Sequence, residues 1–495
     1  MQRRADDSPW RILVSPLIVV FGILLIALLV YAPHLNDWFF ADDFGLLRGA
    51  QTTSWSSWFA EAFDFRSRGP VPAFEHYRPL YVLTFKAEFS LFHVEPLGYH
   101  AVNIGVHLLN VVLLWLIAHR LTARPGISHF VAFVFAIHPA YGDAVAWISA
   151  GNAVMATFFY LLTFLLFMKT FDDGIRRAPF LVLSLATFLV ALLFHPVTAT
   201  MAVVLPAWYF LLYRRLRDLR EWRDWLQFAP IVLFLVPYLG IQMWVRGENP
   251  GQQAAFNLGG HIFANYFHYP GIAFYPTPDD SGIRVGASIA VILLTVVLLL
   301  RWRTSPLAVF CVFWFYTSLA PNAVFAPGSF GRLFYLPGLS FAFLLGVAAI
   351  QADELAIIQA FRQRFVPQRR VVVSIALFAL LPATLGYMWM HDSASKTFPW
   401  DSLDNTIEKQ ASANQEFITD LRAEMPFLPE QGTLIVASPP LNLVFFSDAE
   451  LDSLVELYYG DATVKFLYRS GFSSVLEAEE NMGSSDRLFE FHRDR

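Results

Sequence analysis

Long apolar runs separated by short polar links recur along this chain, and at about 1.5 Å of rise per residue such runs predict membrane-crossing helices. The runs fall near 12–32, 99–118, 128–140, 153–168, 179–194, 197–213, 226–245, 284–300, 306–320, 334–352 and 371–390. That makes about eleven spans. Two links are long. In the first, roughly 33–98, the stretch Thr53 to Phe65 is aromatic and amphipathic, which predicts a helix lying along the interface instead of crossing it. The second, 246–283, carries His261, His268, Tyr269-Pro270, Tyr275-Pro276 and Asp279-Asp280 and reads as an aromatic, proline-rich loop.

From residue 391 the pattern changes: acidic residues outnumber basic ones and no run is long enough to span. Helical spacing over Asn405 to Met425, a strand at Gly432 to Ala437, a capping-box start at Ser447-Asp448-Ala449-Glu450 for a helix to Tyr459, and a strand at Ala462 to Tyr468 predict a small α/β domain. The tail beyond Leu476 reads as loose. The organisation expected is a membrane-embedded domain over 1–390 and a soluble domain over 391–495.

Composition agrees with the pattern. With 56% hydrophobic and 15% charged residues, the chain is too apolar for one soluble core and reads as a polytopic α-helical membrane protein. Its one cysteine, Cys311, lies inside an apolar run, so neither a disulfide framework nor a cysteine metal cage is expected. A net charge of -5 points to no nucleic-acid partner. Basic residues crowd one set of links: Arg3, Arg4, Arg11; Arg120, Arg124; Lys169, Arg176, Arg177; Arg214 to Arg223; Arg301, Arg303; and Arg362 to Arg370. The positive-inside rule then places the N-terminus in the cytoplasm and the C-terminal domain outside. None of the five lysines follows a glycine, which argues against a Walker-type ATP-driven pump.

Orientation gives the polar residues their meaning. Just past the first run, Trp38-Phe39-Phe40-Ala41-Asp42-Asp43-Phe44-Gly45 sets two adjacent carboxylates at the outer boundary, as a catalytic centre or as a solvated acidic turn. On one helix His100, Asn103 and His107 share a face; a polar stripe on a membrane helix must meet protein or a water-filled cavity, so it marks either function or helix packing. His138-Pro139 with Asp143, and His195-Pro196, interrupt hairpins on the outer side, as site residues or as helix-end markers. Arg332 is one of few outer cations, and its planar fork suits phosphate oxygens or a snorkelling anchor.

The order of these motifs, the acidic pair, Tyr77-Arg78-Pro79-Leu80, Tyr99-His100 with Asn103 and His107, His138-Pro139 with Asp143-Ala144-Val145-Ala146, and Arg332-Leu333-Phe334-Tyr335-Leu336-Pro337, resembles the GT-C class of membrane glycosyltransferases. It is most similar to the catalytic half of the transmembrane-and-tetratricopeptide O-mannosyltransferases and their bacterial relatives, over roughly 35–350. No tetratricopeptide array accompanies it, and 391–495 has no counterpart in that family, which leaves the acceptor open.

The resemblance implies transfer of a sugar, with inversion, from a polyprenyl-phosphate carrier to a glycan, lipid or protein acceptor on the outer face. An attacking hydroxyl must lose its proton, which asks for a positioned carboxylate base. Asp43 is the first choice, with Asp42 orienting it and Asp143 beside them. The leaving lipid phosphate asks for fixed cations or donors: Arg78 and Arg332, with His107 and His138. His100, Asn103, His195, Tyr77 and Tyr335 are then substrate-binding. A divalent cation, Mg or Mn, is the one candidate cofactor, on Asp42, Asp43 and Asp143. The expected location is a bacterial inner membrane with the site facing the periplasm. The alternatives are a polysaccharide polymerase or O-antigen ligase, and a secondary transporter.

Overall fold

The computed structural model describes residues 16–66, 77–172, 174, 176–214, 221–249, 253, 255–272, 282–300, 305–326, 331–353, 404–427, 433–438, 448–460, 463–466, 475–482 and 487–490. Among these residues, eight helical stretches are long and apolar enough to cross a membrane: Pro16–Asn36, Pro96–Thr122, Ile148–Lys169, Arg177–Phe194, Pro196–Tyr213, Ala229–Gly247, Pro306–Ala323 and Gly331–Gln351. Two further expected spans are helical but shorter, Pro125–Ala136 and Val285–Leu300. The run at 371–390 lies outside the described residues. The chain is a polytopic α-helical membrane protein. Pro125–Ala136 is short because Pro125 opens it at its first turn and the His138-Pro139 pair follows its end.

Contacts group the described chain into two units. The first lies within Met1–Ala32, Asn103–Val145 and Ala150–Ser402 and holds most of the membrane helices. Large apolar side chains such as Leu17, Phe21, Leu233 and Met243 stay exposed on it, as lipid-facing positions should. Inside, the helices meet through hydroxyls and rings: Ser184 Oγ donates to the Thr163 carbonyl at 3.0 Å, and Trp314 Nε1 donates to the Tyr160 hydroxyl at 3.0 Å. Glycines allow close approach at two points. A Cβ on Gly151 would overlap the Asn103 amide, and one on Gly338 would overlap the Tyr141 hydroxyl. The expected loop at 246–283 contains a helix, His261–Ile272, whose Asn265 Nδ2 donates to the Ala323 and Phe325 carbonyls at 2.9 and 2.8 Å. Pro270 inside it disguised the helical spacing.

The second unit lies within Pro33–Val102, Ala146–Ser149 and Leu403–Arg495. Trp55–Phe63 is helical and amphipathic, as expected: Trp58 is fully buried and donates from Nε1 to the Val82 carbonyl at 3.0 Å, while Trp55 and Phe59 stay exposed. Farther along, strands β1 (Thr433–Ser438), β2 (Thr463–Phe466) and β3 (Arg487–Glu490) form a parallel sheet in the order β2-β1-β3. Helices Asp448–Tyr459 and Val475–Asn481 lie between the strands, as the crossover connections that parallel strands require, and helix Asp404–Glu424 precedes β1. The tail read as loose is therefore partly ordered. Its strand is four residues long, too short for periodicity to register, and it is held by pairing with buried Leu434, Ile435 and Val436.

Candidate active site around the acidic pair

The acidic pair opens a helix, Asp43–Thr52, by way of a strained turn. Ala41 has φ of 48°, a left-handed conformation that side-chain-bearing residues adopt at a cost of roughly 1 kcal/mol or more. Asp43 closes the turn: its Oδ2 accepts from the Phe40 amide at 2.9 Å, as an acidic residue does when it caps the turn three residues back. Its Oδ1 accepts from the Ser149 amide at 2.8 Å and from the Ser149 hydroxyl. Tyr81 holds the same link from its other side, donating to the Ser149 carbonyl at 3.0 Å. Trp147 Nε1 donates to the Phe40 carbonyl at 3.3 Å, and the two rings meet edge to face. Asp43 is 1% exposed, whereas its neighbour Asp42 is exposed.

Burial pushes the Asp43 carboxyl up from 3.8 to about 7; the Ser149 and Phe40 donors pull it down and the Asp42 charge adds to the rise. Trp38, Phe39 and Phe40 are buried in protein, Phe39 against Tyr99 at 5.5 Å between ring centres. They form the floor of the turn. The far end of the same helix is capped by Lys86, which donates to the Ala50 carbonyl and, at 2.8 Å, to that of Thr53, beneath the Trp55 and Trp58 rings. Two residues on, Glu88 is buried with Oε1 unpaired among the described residues, and burial raises its carboxyl to about 8, which favours its neutral form.

Other sequence-selected residues belong to the same unit. Arg78 precedes the Pro79–Phe92 helix and is half-buried, as is Tyr77. His100 is 1% exposed and donates from Nε2 to the Asp37 carbonyl at 2.9 Å.

The membrane unit gathers a second group. His107 Nε2 faces the Ala136 carbonyl at 3.0 Å; since a carbonyl only accepts, Nε2 carries the proton and Nδ1 accepts from the Tyr335 hydroxyl at 2.8 Å. Asn110 Nδ2 donates to the Tyr335 oxygen at 3.1 Å and to the Val154 carbonyl at 2.9 Å. His107 and Tyr335 thus brace four helices, and the stripe His100, Asn103, His107 and Asn110 is buried throughout. Both His-Pro pairs start short helical turns in the same way: the His138 and His195 Nδ1 atoms accept from the Ala140 and Val197 amides, each at 3.2 Å. The turn after His138 packs against Gly331–Phe334. Asp143 is 5% exposed, with its Oδ2 3.7 Å from where a Gly331 Cβ would sit, and the half-buried Arg332 follows at once.

Ser149, Lys86 and Glu88 escaped the sequence reading. Serine in Trp147-Ile148-Ser149 carries no spacing signal, and Lys86 and Glu88 sit on an aromatic helix without a motif. Among the described residues no group of three or more His, Cys, Asp or Glu side chains is gathered to hold a metal ion.

No family model matches the chain. Curated relatives do. Protein O-mannosyl-transferase TMTC1 of Mus musculus is 33% identical over 140 residues, 28% of this chain and 15% of the relative. The Homo sapiens TMTC1 is 37% identical over 114 residues, 22% and 13% of the two chains, and Drosophila melanogaster Tmtc3 is 34% identical over 119, 20% and 13%. Each match therefore spans a small fraction of the relative's length. Among solved structures, ArnT from Cupriavidus metallidurans in the apo state aligns with a TM-score of 0.48 at 13% identity, covering 90% of this chain and 85% of that one. The archaeal oligosaccharyltransferase AglB from Archaeoglobus fulgidus aligns at 0.48 and 11% identity, covering 91% and 65%. Over about a quarter of its length, then, this chain is similar in sequence to the protein O-mannosyl-transferases, the relationship its motif order resembles.

Proposed function

We propose that the chain is a membrane-embedded glycosyltransferase that moves a sugar from a polyprenyl-phosphate donor to an acceptor hydroxyl on the extracytoplasmic face. The observation that carries this reading is the unequal acidic pair: Asp42 exposed, Asp43 buried and tied to Phe40 and Ser149 at the start of one helix. A general base must reach the proton it takes, so geometry ranks before pKa. On that ground Asp42, and not the first-choice Asp43 of the sequence reading, is assigned as base. Asp43 holds the turn that aims it.

In the step itself, the acceptor oxygen attacks the anomeric carbon as Asp42 removes its proton; the bond to the carrier phosphate breaks and the electron pair leaves with that phosphate. A single displacement inverts the anomeric centre. Charge growing on the phosphate needs donors, for which Arg78 and Arg332 have the right chemistry. With Asp43 committed to backbone and Ser149, the pair offers a divalent cation a poor ligand set, and no step is routed through one. The names of the relatives make a mannosyl donor the first to try.

The test uses the full chain in lipid nanodiscs with polyprenyl-phosphate mannose and cell-envelope acceptors. Transfer by wild type and its loss in Asp42→Asn are expected. Undiminished transfer by Asp42→Asn would remove the assigned base.

A further inference from the structure

The helix that begins with the acidic pair is gripped at three places, and one grip comes from far along the chain. Its first turn is tied to Ser149 and its last to Lys86. Its flank faces helix Asp448–Tyr459. There Arg48 Nε donates to Glu456 Oε2 at 3.1 Å while Arg48 Nη1 donates to Gln51 Oε1 at 3.3 Å, and Gln51 Nε2 donates to the Leu457 carbonyl at 3.3 Å. The Arg48 side chain is only 16% exposed and that of Glu456 32%, so solvent screens this pair incompletely. Leu454, Val455 and Leu457 on the second helix are buried, as are Leu46, Leu47 and Ala50 on the first. Two side chains one turn apart, Arg48 and Gln51, thus read one charge and one backbone carbonyl of the same partner, which fixes rotation as well as distance.

We infer that the Asp448–Tyr459 helix of the C-terminal region is a strut for the acidic helix, with Arg48 and Glu456 as positioning residues that set where the Asp42 carboxylate points. This rests on the function proposed above and deepens it. A free-standing acceptor-binding module would have no need to recognise Arg48 and Gln51. A strut does, because a helix held only at its two ends can still roll about its axis, and a roll would pull on the Asp43 ties to Phe40 and Ser149 and shift the exposed Asp42 that precedes them.

Two readouts on the full chain test this. Amide exchange across 43–52 reads the strut directly, without sugar transfer. Kinetics of transfer read its consequence. Arg48→Ala and Glu456→Gln are expected to raise exchange in 43–52 and to lower kcat on the order of tenfold to a hundredfold, with donor KM unchanged. The exchanged pair, Arg48→Glu with Glu456→Arg, is expected to recover most of both, which a general loss of folding would not do. Unchanged exchange and unchanged kcat in the single variants would overturn the strut, and so would an exchanged pair no better than its parents. If wild type transfers no sugar, the glycosyltransferase reading fails; altered exchange in 43–52 would still uphold the strut, and unaltered exchange would still remove it.

Discussion

The turn around Asp43 and the brace around His107 both bury polar side chains, and the difference between them lies in what is left facing outward. In the brace, both ring nitrogens of His107 are engaged, by Tyr335 and by the Ala136 carbonyl, and its neighbours Asn110 and Tyr335 are buried with it. Such a network locks helices. In the turn, Asp43 is equally buried and equally engaged, yet the next carboxylate along the chain is exposed. Burying one member of an acidic pair to aim the other is the arrangement a reactive group needs, because a rigid support keeps the reacting atom in place.

The largest expected effect separates the two carboxylates. Asp42→Asn should lower sugar transfer by about 10²–10⁴-fold while thermal unfolding in detergent stays close to wild type; a coupled loss of folding would show Asp42 to be structural as well. Next comes pH. The Asp43 carboxyl sits at about 7 when folded against 3.8 otherwise, so the stability of its protonated form is fully present below the lower value and is lost as pH rises through about 7. The loss should be on the order of 4 kcal/mol and level off above that. The difference between wild-type and Asp43→Asn unfolding profiles from pH 4 to 8 measures it, and parallel profiles would contradict it.

The brace should respond in folding alone. His107→Ala strands the Tyr335 hydroxyl and the Ala136 carbonyl and leaves a cavity, a destabilisation of about 2–4 kcal/mol read by thermal or denaturant unfolding. If kcat per folded molecule fell as well, the brace would belong to the site. Smallest is Gly338→Ala, whose new methyl meets the Tyr141 hydroxyl beside that brace; about 1–3 kcal/mol is expected by the same unfolding measurement, and no loss would mean that Tyr141 swings aside.

Hydropathy and spacing determined a good deal here. They located the membrane helices and marked Trp55–Phe63 as a short amphipathic helix. They also put His100, Asn103 and His107 on one protected face, and gave most of the α/β pattern after 403. These features depend on how a short stretch partitions between water and an apolar phase, which its own residues decide. Tertiary structure alone decided which carboxylate of the pair is buried, that Ser149 and Lys86 secure the helix behind them, and that Arg48 meets Glu456. Adjacent aspartates are alike in composition and in local spacing. What makes them differ is burial: the fold closes over Asp43 and brings the Ser149 amide, 106 residues away in the chain, to 2.8 Å from it, while Asp42 stays exposed.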